Sequence, residues 1–204
     1  MKLNFGCGPQ VTDGWIGVDY AIGARFAKLP LFRTVNRKLR IFDLDWDDRI
    51  TIHDLTKRLP WKDDSADVVY TSHVLEHLAR DDGRNFLAEC HRVLRKGGIV
   101  RVVVPDLNPI VREYVDGRLR ADEVLEKLGV LYISSRNPIK RGLSRFVQSP
   151  HQCLYDTPTV LSLLREIGFD ARSRRPFDSE IEDIRKVELE GRTDDAVIVE
   201  GRKL

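Results

Sequence analysis

The sequence predicts an α/β fold built on a doubly wound parallel sheet. Three observations lead there. Short apolar runs alternate with stretches of helical periodicity, as parallel crossover connections require. Two of the runs, 66–71 and 99–104, are almost wholly apolar, as strands covered on both faces are. The first run passes straight into Gly6-Cys7-Gly8, and the next two close on acids, Asp19 and Asp54.

The elements follow in order. Lys2–Phe5 alternates as a short strand, and the glycines after it permit backbone angles that other residues resist and let a ligand lie against main-chain N–H groups. Residues 9–14 are too few and too broken for a full helix. Trp15–Asp19 reads as the second strand. A carboxylate there, beside a glycine turn, can accept both hydroxyls of a ribose. In dinucleotide-binding folds the acid follows the glycines by about 20 residues. Here Gly8 and Asp19 are 11 apart, so most of the usual crossover helix is missing. The plain alternative for Asp19 is a loop acid that caps a helix.

Residues 21–48 are basic and amphipathic, with Arg25, Lys28, Arg33, Arg37, Lys38 and Arg40 among Phe26, Leu29, Leu31, Phe32 and Leu39. They suit a lid over the turn, a contact with anionic lipid through 26–42, or a solvated face packed on the domain. The Asp43-Leu44-Asp45 start of the next stretch resembles a calcium loop but lacks its Gly and distal Glu. Residues 50–55 form the third expected strand and 66–71 the fourth, followed by a short helical turn from Ser72. A helix is expected over 82–94, with cations at its end and Gly97-Gly98 stopping it. The fifth strand, 99–104, closes on Pro105-Asp106. Helical patterns at 109–117, 121–131 and 157–167 follow, and 171–176 and 195–201 read as the last strands.

Length and composition set bounds. A chain of 204 residues with 42% hydrophobic and 32% charged residues suits one soluble globular domain over 1–204. A net charge of +2 gives no nucleic-acid signal. Cys7, Cys90 and Cys153 are odd in number and far apart, so free thiols are expected. With no basic-then-apolar leader and no apolar run near ~20 residues, the expectation is a cytoplasmic protein without a membrane span.

His73-Val74-Leu75-Glu76-His77 matches the H-x-x-E-H pattern, and two histidines four apart on a helix can hold zinc. A catalytic zinc needs a third ligand and the stretch lies directly after a central strand, so no metal is expected.

The blocks taken together resemble the class I S-adenosylmethionine-dependent methyltransferases. They are Leu3–Gly8, Gly14–Asp19, Asp54-Leu55 with Leu59-Pro60-Trp61, Ser65–Leu78, Arg92–Gly98 and Val104–Leu107, with a further match over 151–169. The resemblance implies a Rossmann-like seven-stranded sheet, mostly parallel with one antiparallel strand. It implies S-adenosylmethionine as cofactor, lying over the backbone of Gly6, Cys7 and Gly8. Asp19 would take the ribose hydroxyls, Asp54 and the Leu55 N–H the adenine, and Ser72 and His73 the floor near the sulfonium. Asn4 departs from the Asp or Glu usual there and lacks its charge. His73 and His151 are the candidate bases and Asp106 a candidate for orienting the acceptor. Segments 21–48 and 107–156 would form an acceptor lid. Their cations, with Arg136, Lys140, Arg141 and Arg145 in the second, suggest an anionic small-molecule, sugar or lipid-linked acceptor. Rival readings are a non-catalytic cofactor-binding or scaffold protein, an RNA methyltransferase, and a nicotinamide enzyme, the last disfavoured because Gly6–Val11 lacks the third glycine and the helix.

Overall fold

The computed structural model describes residues 1–29, 46–131 and 150–204. Its seven strands form one sheet. They are β1 (Lys2–Phe5), β2 (Ile16–Asp19), β3 (Thr51–Ile52), β4 (Ala66–Ser72), β5 (Leu94–Pro105), β6 (Phe169–Ser173) and β7 (Ala196–Lys203). Their order is β3-β2-β1-β4-β5-β7-β6. All pairs from β3 to β5 are parallel, and β7 runs antiparallel to both β5 and β6. The seven strands and the single reversed one agree with the expectation.

Period-two alternation sorts the central strands onto two faces. Val69, Val100, Val102 and Val104 join Leu3 and Phe5 in the larger core. That face is covered by α2 (Arg80–Val93) and α5 (Thr157–Ile167). In α2 the buried Phe86, Leu87, Cys90 and Val93 recur at helical spacing, with Asp81 and Asp82 in its first turn. Phe5 meets Phe86 edge to face at 5.3 Å and Trp61 at 5.8 Å, contacts worth about 0.5–1.5 kcal/mol each beyond burial. Helix α5 begins at Asp156, whose carboxylate accepts the Thr159 N–H at 2.9 Å, and ends at Gly168 with φ of 116°.

On the opposite face, among the described residues, an irregular segment closes the apolar cluster. Val68, Tyr70, Ile99, Val103 and Ile198 pack there with Trp15 against Ile181, Ile184 and Val187. The cover is the irregular segment 177–193, with short 3₁₀ turns at Ile184–Lys186 and Glu190–Arg192. The reason lies in the truncated β1–β2 connection, whose residues form turns and no helix. The C-terminal segment fills that space and is tied down by Asp183, which accepts from Lys2 Nζ at 2.6 Å and Trp15 Nε1 at 3.1 Å. Arg101, on this face of β5, is fully buried. It donates to Glu188 at 2.8 and 2.9 Å and to Glu200 at 3.2 Å.

Several boundaries differ from expectation. β3 keeps only two of the six residues in 50–55. Strand β5 starts at Leu94, and its register shifts between the pairs Ala66–Leu94 and Val68–Ile99, so Gly97 and Gly98 form an irregularity within the strand and do not stop the helix. The last two strands lie at 169–173 and 196–203, each offset by one or two residues from its expected start. In the basic insertion the described part forms α1 (Ile22–Ala27), with Gly23 close against Trp46. Arg33, Arg37, Lys38, Arg40, Asp43 and Asp45, like Arg136, Lys140, Arg141 and Arg145, lie outside the described residues. After β5 come α3 (Leu107–Val115) and α4 (Ala121–Lys127). No helix among the described residues is long and apolar enough to cross a membrane.

Candidate functional site

Parallel strands deliver their ends to one edge, where an open α/β sheet forms its ligand crevice. β1 delivers Gly6-Cys7-Gly8 there. Gly6 and Gly8 have φ of 71° and 68°, the left-handed region that favours glycine. The Gly6 and Cys7 N–H groups donate to the Val18 carbonyl at 2.9 and 3.3 Å, locking the turn onto β2. A Cβ on Gly6 would lie 2.1 Å from Val74 Cγ2, whereas one on Gly8 would meet nothing within 4 Å. The turn is therefore packed from beneath at Gly6 and open at Gly8. The Cys7 thiol is pushed up to about 12 by burial and then by the Asp19 charge, so it stays protonated and contributes backbone and bulk.

Asp19 and Asp54 fall on the same edge. The Asp19 carboxylate accepts the Gly8 N–H at 3.0 Å and the Ala21 N–H at 2.8 Å, so it braces the turn directly. Its carbonyl accepts the His53 N–H at 3.4 Å, which places Asp54 one residue further on the neighbouring strand end. Asp54 accepts from the Thr56 N–H and hydroxyl at 3.0 and 2.8 Å. Burial alone would raise Asp54; the two Thr56 bonds and the Lys57 charge outweigh it and leave the carboxyl below its ordinary range. Leu55 is half-buried beside it, and Asn4 is buried in β1 between Gly17 and Tyr70.

β4 supplies the other wall. Ser72 ends it, buried, and among the described residues its hydroxyl makes no well-formed hydrogen bond. His73 turns the chain away with φ of 54°, uncommon outside glycine and a mark of a constrained site. Its Nε2 lies 3.0 Å from the Arg192 carbonyl and its Nδ1 3.3 Å from Glu76 Oε1. The carboxylate of Glu76 raises the His73 imidazole above its ordinary value, against burial. His151 Nε2 lies 4.0 Å from the same Oε1. The structure thus brings His73 and His151 to one carboxylate although 78 positions separate them in sequence. Asp106 sits at the end of β5, where its side chain caps α3 by accepting the Asn108 N–H at 3.0 Å.

Sequence reasoning missed three participants. Val74 under Gly6 and Arg192 beneath Ser72, which its guanidinium reaches at 3.4 Å, carry no motif. Glu76 stood inside a recognised pattern, but its near-total burial depends on segment 151–155 folding over it.

Residues 3–102 match a family model described as a methyltransferase domain. A probable S-adenosylmethionine-dependent methyltransferase of Mycolicibacterium smegmatis is 35% identical over 79 residues, covering 33% of this chain and 30% of that protein, so the chain spans less than a third of this curated relative. Similar solved structures include a protein of Pyrococcus horikoshii (TM-score 0.54, 14% identity, all of this chain and 81% of that one). Another is a SAM-dependent methyltransferase of Methanosarcina mazei (TM-score 0.53, 16% identity, 100% and 92% covered). A third is a SAM-dependent methyltransferase of Thermotoga maritima, described as a possible histamine N-methyltransferase (TM-score 0.50, 20% identity, 100% and 82% covered). At these identities the likeness is one of fold.

Proposed function

We propose that this chain is a class I S-adenosylmethionine-dependent methyltransferase, a reading supported by the match of residues 3–102 to a methyltransferase-domain model and by the 79-residue likeness to a probable S-adenosylmethionine-dependent methyltransferase, and that it transfers the methyl group of S-adenosylmethionine to a small-molecule, sugar or lipid-linked acceptor bearing negative charge. The observation that carries the reading is a turn open at Gly8 with Asp19 bonded to it and Asp54 on the adjoining strand end. The residues present fit the cofactor. There is free space where a Gly8 side chain would be, and among the described residues the buried Ser72 hydroxyl makes no well-formed hydrogen bond.

In this reading the backbone of Gly6, Cys7 and Gly8 passes beneath the methionine part. Asp19, fixed by the Gly8 and Ala21 N–H groups, turns its remaining lone pairs to the ribose hydroxyls. Asp54 and the Leu55 N–H hold the adenine, Ser72 and His73 form the floor, and Asn4 supports the turn from within β1. The cofactor supplies a methyl carbon already activated for in-line displacement. The chain's own work is alignment and exclusion of water. An acceptor proton passes to His73, whose Nδ1 stands beside the Glu76 carboxylate, while Asp106 stands at the strand end after β5.

The anionic acceptor is supported by the cations of 21–48 and 107–156. Among described residues, Arg25 lines a groove with Ile22, Phe26 and Leu29 at the crevice edge. Both segments would close over the acceptor as a lid.

Tritium-labelled methyl transfer into fractionated extract tests the activity. Label is expected in a small-molecule, glycan or lipid fraction and is lost without the chain. Label in RNA, or tight S-adenosylmethionine binding with no transfer, overturns the reading. Asp19→Asn is expected to weaken cofactor binding roughly 10–100-fold, the worth of charge-assisted hydrogen bonds of about 1.5–3 kcal/mol. Charge reversal at Arg136, Lys140, Arg141 and Arg145 is expected to weaken acceptor use with cofactor binding intact.

A further inference from the structure

Glu76 is 1% exposed, and among the described residues neither of its carboxylate oxygens receives a well-formed hydrogen bond. A buried carboxylate is stable when it is neutralised, paired or bound to a metal. Its neighbours are imidazoles. His73 Nδ1 lies 3.3 Å and His151 Nε2 4.0 Å from Oε1. His77, the next residue, has a buried Nδ1 that is also without a partner among the described residues, and its ring meets that of His151 at 4.9 Å and 64°. One donor atom each from Glu76, His77 and His151 lies within 4.8 Å of the others.

The far nitrogens fix which lone pairs face inward. His151 Nδ1 is 2.7 Å from the Leu128 carbonyl, a contact that needs an N–H, so the lone pair of neutral His151 sits on Nε2, toward Glu76. The Arg192 carbonyl does the same for His73, which leaves the Nδ1 lone pair of the neutral ring facing Oε1. A lone pair set against a carboxylate oxygen calls for a proton or a metal ion between them. A backbone carbonyl on the outer nitrogen is how proteins orient metal-binding imidazoles.

The frame is built. The Glu76 carbonyl accepts the N–H groups of Gln152 at 2.7 Å and Cys153 at 3.1 Å, and Gln152 Nε2 donates to the His77 carbonyl at 2.7 Å. The His151 N–H donates to the Gly129 carbonyl at 2.9 Å, and a Cβ on Gly129 would stand 2.9 Å from the His151 ring. The donors are thus held from four segments, those around 73–77, 128–129, 151–153 and 192.

We infer that Glu76, His77 and His151 bind a divalent transition-metal ion of the zinc class, with an open coordination position on the side of His73. Two imidazoles and one carboxylate suit Zn2+ and leave the fourth place for water or an oxygen-bearing ligand. Zinc–nitrogen bonds of about 2.0–2.1 Å put tetrahedral donors roughly 3.4 Å apart, so the group closes by an ångström or so on binding. The H-x-x-E-H stretch was set aside for want of a third ligand, and the fold supplies it from a residue 74 positions beyond His77. The inference stands on this geometry alone and does not require methyl transfer. Should an acceptor hydroxyl take the open position, the ion would lower its pKa.

The test uses the full chain, stripped with a chelator and titrated with Zn2+ by calorimetry and with Co2+ by visible absorption. One ion per chain is expected, with Co2+ bands of a low-symmetry site. Glu76→Gln, His77→Ala and His151→Ala should each weaken Zn2+ by more than the ~10–100-fold typical of outer-shell changes. His91→Gln and Cys153→Ser should keep the wild-type affinity. Proton spectra of the imidazoles in the unmodified chain need no variant: Zn2+ should move His77 and His151 and leave His91 in place. Absence of a saturable site, wild-type affinity in both histidine variants, or a shift confined to His91 overturns the inference.

Discussion

Gly6 and Gly8 look interchangeable in the sequence, and the structure predicts opposite consequences for replacing them. Gly6→Ala incurs two penalties. Its φ of 71° costs a side-chain-bearing residue about 1–2 kcal/mol. Its Cβ also falls 2.1 Å from Val74 Cγ2, and Val is stiff about χ1, so overpacking adds about 1–3 kcal/mol. The sum, about 2–5 kcal/mol, corresponds to a fall in Tm of roughly 4–20 °C for a chain of this size. Gly8→Ala carries only the first penalty, about 1–2 kcal/mol or roughly 2–8 °C. Its methyl group enters the space assigned to the cofactor, so it should lose S-adenosylmethionine affinity out of proportion to its stability. Adding Val74→Ala to Gly6→Ala should recover the steric part, about 1–3 kcal/mol against the sum of the single variants. Thermal and urea denaturation measure the stabilities, and calorimetry the affinity. A Gly6→Ala protein more stable than Gly8→Ala, or a double variant that is merely additive, would refute the packing argument.

Arg101→Met removes the cation that joins two buried carboxylates, Glu188 and Glu200. The expected loss is about 3–5 kcal/mol in urea denaturation, partly restored by adding Glu188→Gln. If Arg101→Met alone is neutral, the network adds no stability. Glu89 accepts from Arg92 at 2.8 and 2.7 Å and from the Leu59 N–H at 2.8 Å. Arg92 holds it below the ordinary carboxylate range, against burial. A folded value below the unfolded one makes this contribution complete above the unfolded value of about 4.3, and it fades as pH falls through the folded value. Glu89→Gln should therefore cost about 1–3 kcal/mol at pH 7, and its difference from the parent should shrink below about pH 4. A difference that grows on acidification would reverse that sign.

What could be read in advance was local. Alternation gave β1, short apolar runs gave β2 and β4, and the spacing of Phe86, Leu87, Cys90 and Val93 gave α2 to within a residue or two of its ends. The Gly-Cys-Gly turn and the acids of the next two strands were legible because each is a short-range consequence of a strand end. The boundaries that slipped, at β3 and around Gly97-Gly98, depend on which partner strand is present to pair with, and a bulge set by β4 looks in sequence like a helix stop.

The sequence by itself determined the alternating elements, the turn with its two flanking carboxylates, and the absence of room for a β1–β2 helix. The tertiary structure alone decided what covers the bared face, which cation neutralises Glu188, and which side chain lies under Gly6. It also decided that His151 meets Glu76 and His77. The physical reason is range. Backbone preferences and periodicity act over a few residues, whereas burial and charge pairing are settled between segments whose separation along the chain carries no record of their distance in space.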